Sequence, residues 1–215
     1  MRAMVLERPG EPLKLVEGPD PQPADGEVRI RVGACGVCRT DLHVIDGELP
    51  SPKLPLVPGH EIVGRIDMIG GHFDTLGIGR RVGVPWLART CGHCRYCLDG
   101  RENLCDQPLF TGYTRDGGYA THVIADARYV FPLPDAGDDV AIAPLLCAGL
   151  IGWRSLQIAG GGSEYRILWF RRCRPYHRAS RALAGPRSLR FHQSRGRCRT
   201  SICKKARRSL GGKFR

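Results

Sequence analysis

The sequence has no stretch long and apolar enough to span a membrane. Its longest apolar run, Val140 to Trp153, is interrupted by Pro144 and falls short of the ~20 residues a bilayer needs. The opening residues, MRAMVLERPG, lack the apolar core of a signal peptide, so no export is expected and the protein reads as cytoplasmic. Residues 163–215 lack acid: Glu164 stands alone against 17 Lys and Arg, a net charge of +16. Residues 1–162 carry 16 basic residues against 20 acidic ones, a net of −4. The overall +12 therefore averages two unlike stretches and does not itself announce an anionic partner. After residue 162 there is also no G-x-G-x-x-G, which excludes the usual dinucleotide fingerprint from the last quarter of the chain.

What is present is concentrated in the first 160 residues. Val28, Ile30 and Val32 alternate with Arg29 and Arg31, the period of a half-buried strand from Glu27 toward Gly33. Similar strands are expected over residues 62–69, 81–86 and 119–131, separated by Gly/Pro-rich turns at 19–26 and 50–59. From Pro134 to Ser155 the period changes: Val140, Ala143, Leu146, Leu150 and Trp153 recur every three to four residues, which predicts one or two helices. The fold class is mainly β with some helix (α+β), a small barrel with connecting loops. Residues 1–160 form one domain and residues 161–215 a basic tail with no sustained period and no expected regular fold.

Cysteine is plentiful, ten in 215 residues, and without an export signal thiolate ligands are expected rather than disulfides. Cys91, Cys94, Cys97 and Cys105 form C-x2-C-x2-C-x7-C, with Gly92 and Gly100 allowing tight turns. Four thiolates close the tetrahedral shell of a structural Zn²⁺, which holds a loop in place and does no chemistry. A second set is scattered: Cys38 in CRTDLH, His60 and Glu61 in PGHE, and Cys147 in PLLCAG. Two thiolates and one imidazole leave a fourth position open, as a catalytic zinc requires. Taken singly, Cys147 reads equally as a buried thiol in an apolar helix and His60 as a hydrogen-bonded core histidine. Cys35 and Cys38 would also start a zinc knuckle, but no second C-x2-C remains after the four-cysteine cluster to complete it.

The order CGVCRTDLH, PGHEIVG, CGHCRYCLDGRENLC, PLLCAGLIGW resembles the medium-chain zinc-dependent alcohol dehydrogenases over residues 1–160. The resemblance implies a GroES-like catalytic domain and two zinc ions per chain. It assigns Cys38, His60 and Cys147 to the catalytic zinc with Glu61 beside it, and the four clustered cysteines to the structural one. Asp41 would fix the tautomer of His60. Thr40 matches the hydroxyl that hydrogen-bonds the substrate alcohol, and His43 the group that passes its proton to solvent. Trp86 matches a wall of the substrate pocket. The implied ligands are a small alcohol or aldehyde and NAD or NADP, and the resemblance implies homo-oligomers for intact relatives, an expectation that does not extend to this chain.

The family continues into a Rossmann domain, and here the resemblance stops. Gly160-Gly161-Gly162 and the residues after it do not read as a dinucleotide loop, with neither a strand before them nor a helix after. Read one nucleotide downstream, Trp169–Ser180 permits G-F-G-A-A-A-H-I-I-A-Q, a glycine-rich turn of the missing kind. A frameshift near residues 160–164 is therefore expected, and with it a chain without dehydrogenase turnover. The alternative from another class is a zinc-stabilised module whose basic tail binds nucleic acid, but no stacking platform accompanies the charge. A zinc-free quinone or enone reductase is disfavoured by the two ligand sets.

Overall fold

The computed structural model describes residues 1–73, 76–160, 164–169 and 188–193, the last two as backbone strands. The chain folds as two compact units, Met1–Arg154 and Ser155–Arg215.

The first unit opens with an antiparallel ribbon of β1 (Arg2–Val5) and β2 (Lys14–Glu17). β3 (Glu27–Gly36) leads into the short helix α1 (Arg39–Ile45), and β4 (Glu61–Gly70) and β5 (Arg81–Val84) follow. β6 (Leu87–Arg89), α2 (Arg95–Leu98) and β7 (Leu109–Phe110) carry the cysteine-rich excursion. β8 (His122–Asp126), β9 (Phe131–Pro132) and α3 (Asp139–Ile142) complete the unit together with a 3-10 turn over Ala143–Leu146 and the start of α4 (Ala148–Ala159). The main sheet is antiparallel and runs β8-β3-β4-β5-β9. Two register shifts in β3, at Arg29/Ile30 and Val32/Ala34, bend it as bulges do.

The alternation read in β3 sets its burial: Val28 and Ile30 are fully buried, and with Ile62, Ile66, Val82 and Val123 from the neighbouring strands they form the main core. Each such side chain contributes about 1.5–3 kcal/mol relative to staying in water. A smaller cluster of Leu6, Val44 and Leu56 ties α1 to the N-terminal strand.

The mainly β, partly helical class is the one observed, and three local expectations are refined. The stretch 119–131 is not one strand: Asp126 caps a 3-10 turn over Ala127–Tyr129, accepting the Arg128 N–H, and separates β8 from β9. The stretch 81–86 ends as a strand at Val84, just before Pro85, and β6 begins at Leu87. The 134–155 stretch holds two helices separated by the 3-10 turn, with Pro144 in its first turn. In the second unit, β10 (Glu164–Trp169) and β11 (Ser188–Gln193) pair in parallel, order that the sequence pattern did not announce. Residues 161–163 and 170–187, where the glycine cluster and most of the frameshift reading fall, lie outside the described residues, as do 194–215. No single helix among the described residues is long and apolar enough to cross a membrane.

Candidate metal centres

The first group forms where β3 meets α1. Cys38 is the residue before the helix, and its backbone N–H donates to Asp41 Oδ2 at 2.7 Å, the capping arrangement of a helix start. The other oxygen of Asp41 lies 2.9 Å from His60 Nδ1. One buried carboxylate thus both starts the helix and orients the imidazole. His60 is delivered by the turn before β4, whose close packing depends on Gly59. Gly59 has φ +98°, and a Cβ there would meet the Tyr119 ring at 2.5 Å and Cys35 Sγ at 2.8 Å, so only glycine fits. Cys147 arrives from the far side of the sequence, at the break between the 3-10 turn and α4. Its sulfur lies 3.7 Å from that of Cys38.

Ligand atoms of Cys38, His60, Glu61 and Cys147 all lie within 4.8 Å of one another. With Nδ1 engaged by Asp41, the inward nitrogen of His60, Nε2, is fully buried without a hydrogen-bond partner, and so is Glu61 Oε2. A buried polar atom left unmatched is costly, and an unpartnered imidazole nitrogen among sulfurs and a carboxylate is what a cation would satisfy. The protonation pattern agrees. Cys38 is pulled down to about 3, first by its contact with Cys147 and then by the facing His60 ring, while Cys147 is driven far above the ordinary thiol range by the same contact. Two sulfurs this close do not both carry charge in a half-buried place unless a cation stands between them. Burial alone would lower His60, but Asp41 and Cys38 lift it to about 9, and burial raises Glu61 to about 7. The site stores protons that a divalent ion would release.

Thr40 and His43 lie on α1 beside this group. Thr40 Oγ1 is 3.8 Å from Cys38 Sγ, while His43, half-buried, pairs through Nδ1 with Glu48 at the solvent edge. Trp86 stands edge-on to His60, ring centroids 4.9 Å apart, and stacks on Phe110 and Tyr113 at 5.0 and 5.7 Å. Those two aromatic partners were not singled out in the sequence: Phe110 sits in the two-residue strand β7 and Tyr113 in the turn after it, and neither place shows a period. Tyr119, just before β8, has a buried hydroxyl without a hydrogen-bond partner, and its place beside the group depends on packing against Gly59 that composition does not show. Cys35 is not in the group: its thiol is pushed up to about 12 by burial and turns to the Gly36 carbonyl.

The second group is local. Ligand atoms of Cys91, Cys94, Cys97 and Cys105 also lie within 4.8 Å of one another, with Sγ–Sγ distances of 3.5 Å for Cys94–Cys97 and Cys91–Cys105. Gly92 and Gly100 take positive φ, +77° and +68°, where the loop turns back on itself. Backbone N–H groups of Cys91 and Gln107 point at Cys105 Sγ, and that of Cys94 at Cys91 Sγ, at 3.3–3.4 Å. Such donors favour thiolates, and Cys94 is lowered to about 6, chiefly by the Asp106 backbone. All seven described cysteines are free thiols.

Comparison with known proteins agrees with this architecture. Residues 24–135 match the model of the alcohol dehydrogenase GroES-like domain. Over 161 residues the chain is 47% identical to an alcohol dehydrogenase of Geobacillus stearothermophilus, covering 74% of this chain and 48% of that protein. Among solved structures, a cobalt- and zinc-bound thermostable alcohol dehydrogenase from Pyrobaculum aerophilum matches with a TM-score of 0.71 at 32% identity, covering 78% of this chain and 52% of that one. An alcohol dehydrogenase from Escherichia coli CFT073 complexed with NADH matches with a TM-score of 0.70 at 30% identity, covering 78% and 48%. The chain spans about half the length of the curated relatives it matches. With four motifs in order, two ligand groups assembled and the domain model matched across their core, the chain belongs to the medium-chain zinc-dependent alcohol dehydrogenase family through its GroES-like domain.

Proposed function

We propose that residues 1–160 are the zinc-binding, substrate-activating domain of an NAD(P)-linked alcohol dehydrogenase. Cys38, His60 and Cys147 hold the catalytic zinc, Glu61 is its adjacent carboxylate, and the four clustered cysteines hold a second, structural zinc. The observation that carries the reading is the orphaned His60 Nε2, buried opposite two sulfurs 3.7 Å apart while Asp41 occupies the other ring nitrogen. Bound there, zinc supplies the Lewis acidity that acidifies an alcohol or polarises a carbonyl.

The chain's own residues do the rest. Thr40, beside Cys38, accepts a hydrogen bond from the alcohol and orients the substrate oxygen, releasing its own hydroxyl proton toward His43 as it takes the one from the alcohol. His43, at the solvent edge with Glu48, passes that proton out. Trp86, Phe110 and Tyr113 form an aromatic wall that keeps water from the reacting carbon. The hydride acceptor is a nicotinamide, whose dinucleotide requires a Gly-rich fingerprint that the sequence after residue 162 does not contain. This chain by itself is therefore expected to bind metal without turning over. Its location is proposed to be cytoplasmic and its substrates small alcohols and aldehydes.

The test is metal content by mass spectrometry on purified chain, with NAD(H) binding measured on the same sample. Two zinc ions per wild-type chain, one in a Cys147→Ser variant and no nucleotide binding are expected. A wild-type chain with one zinc would overturn the catalytic-site assignment, and NAD(P)-dependent turnover would overturn the inactivity.

A further inference from the structure

Arg81 and Gly83, two residues apart in β5, face the same side of the strand. Arg81 is buried, and all five of its N–H donors are engaged by one short segment. Nε and Nη2 reach Asp139 Oδ1 at 2.8 and 2.5 Å, Nη1 reaches the Pro134 and Ala136 carbonyls at 2.6 and 2.7 Å, and Nη2 also reaches the Gly137 carbonyl at 3.0 Å. The second oxygen of Asp139 lies 2.1 Å from where a Cβ on Gly33 of β3 would stand, a space open only because that residue is glycine. At the other end of the segment, Leu146 seats its Cδ2 2.9 Å from the corresponding position on Gly83. The stretch 134–146 is thus fastened to β5 at its start by Arg81 and at its finish by Gly83, and the next residue is Cys147.

Cys147 is the one member of its ligand group that comes from beyond residue 61. Neither α3 nor the 3-10 turn supplies a member of the metal group; Cys147 is held on one side by α4, where the Ile151 N–H donates to its carbonyl, and on the other by how this segment is docked. A buried guanidinium is a poor device for stability alone, since well-packed apolar side chains of similar volume generally do as well or better. Its geometric merit is that a rigid fork with five donors fixes three carbonyls and a carboxylate in one arrangement.

We propose that Arg81 is a positioning residue for the catalytic metal, acting through Asp139 and the segment it clamps to set Cys147 Sγ against Cys38 and His60. This rests on the reading of those three residues as a metal site. The test is titration of the full chain with Co²⁺, whose ligand-field and thiolate charge-transfer bands distinguish a four-thiolate site from one of two thiolates and an imidazole, together with the alkylation rate of Cys147 in the loaded protein.

In Arg81→Met, affinity at the mixed site is expected to fall about tenfold or more, the scale on which lost outer support weakens metal sites, with the four-thiolate site unchanged. Cys147 becomes more reactive, and Arg81→Lys recovers part of the loss. Equal affinity in Arg81→Met and wild type at the mixed site overturns the proposal. If Arg81→Met fails to fold, Asp139→Asn decides, because it leaves the three carbonyl contacts in place. A loss confined to the mixed site supports the clamp, and an equal loss at both sites, or none, overturns it. A wild-type chain showing four-thiolate bands alone removes the mixed site itself, which is the failure of the underlying reading and is evident from the wild type alone.

Discussion

Asp41 accepts two hydrogen bonds that serve different ends, one from the backbone N–H that begins α1 and one from the ring that faces the metal group. An amide in its place has one accepting oxygen and presents an NH2 to a second donor. Asp41→Asn is therefore expected to weaken metal binding at the Cys38 group by about 10- to 100-fold, read by competition with a chromophoric chelator, while the four-cysteine group keeps its affinity. Asp126, which is not a member of either group, gives a pH signature of its own. Burial would raise its pKa, but Arg128, through side chain and backbone, together with Arg89, holds it below the ordinary carboxylate range. The folded value lies below the unfolded one of ~3.9, so the stabilisation is complete above that pH and is lost as pH falls through the lowered folded value. The stability gap between wild type and Asp126→Asn is expected to shrink below about pH 4 in denaturant titrations; a gap constant down to about pH 2 contradicts the assignment. At this scale the sequence was informative where chemistry restricts residue type. Cysteines, His60 and Asp41 were legible because few side chains do their work, whereas Arg81 looked like any strand arginine, and its role appears only once residues 134–139 are seen folded over it.

Among the elements, β3 was legible because one face is buried and the other is not, which imposes a period of two. The bulges in that strand, the 3-10 turn after β8 and the break before Cys147 were not, since each depends on what the backbone packs against rather than on composition. The excursion from β6 to β7 contains only a single-turn helix and a 3-10 turn, and between its two strands only Cys105 belongs to the buried apolar set. The four clustered sulfurs stand where a core would otherwise be, and the proposed thiolate ligation would take its place. Cys97→Ser is expected to lower the metal content by one equivalent and to open residues 91–105 to limited proteolysis, while β3, β4 and β5 retain their amide protection from exchange. Cleavage no faster than in wild type would show that the loop holds without its metal.

On the scale of the whole molecule, the chain joins a stretch of −4 to one of +16, a contrast legible from composition alone. The parallel pair of β10 and β11 was not legible in that way, because a two-stranded pairing leaves little periodic imprint on a segment one-third basic. Dense positive charge by itself gives binding that tracks phosphate density rather than sequence. The full chain is expected to be retained on heparin, to elute with salt, and to bind unrelated oligonucleotides of equal length equally; a preference of about tenfold or more for one sequence would reverse that view. The two ligand groups also differ in the length of chain each one closes, fifteen residues for one and the interval from Cys38 to Cys147 for the other. At ribosomal rates of about 5–20 residues per second, Cys105 precedes Cys147 out of the exit tunnel by a few seconds. The compact group is complete during that interval while the dispersed one still waits for its last sulfur. Under the proposed assignment the order of metal uptake is thus written into the chain as a chronology: the four-cysteine group has all its sulfurs during synthesis, and the Cys38 group only after the sheet strands have emerged.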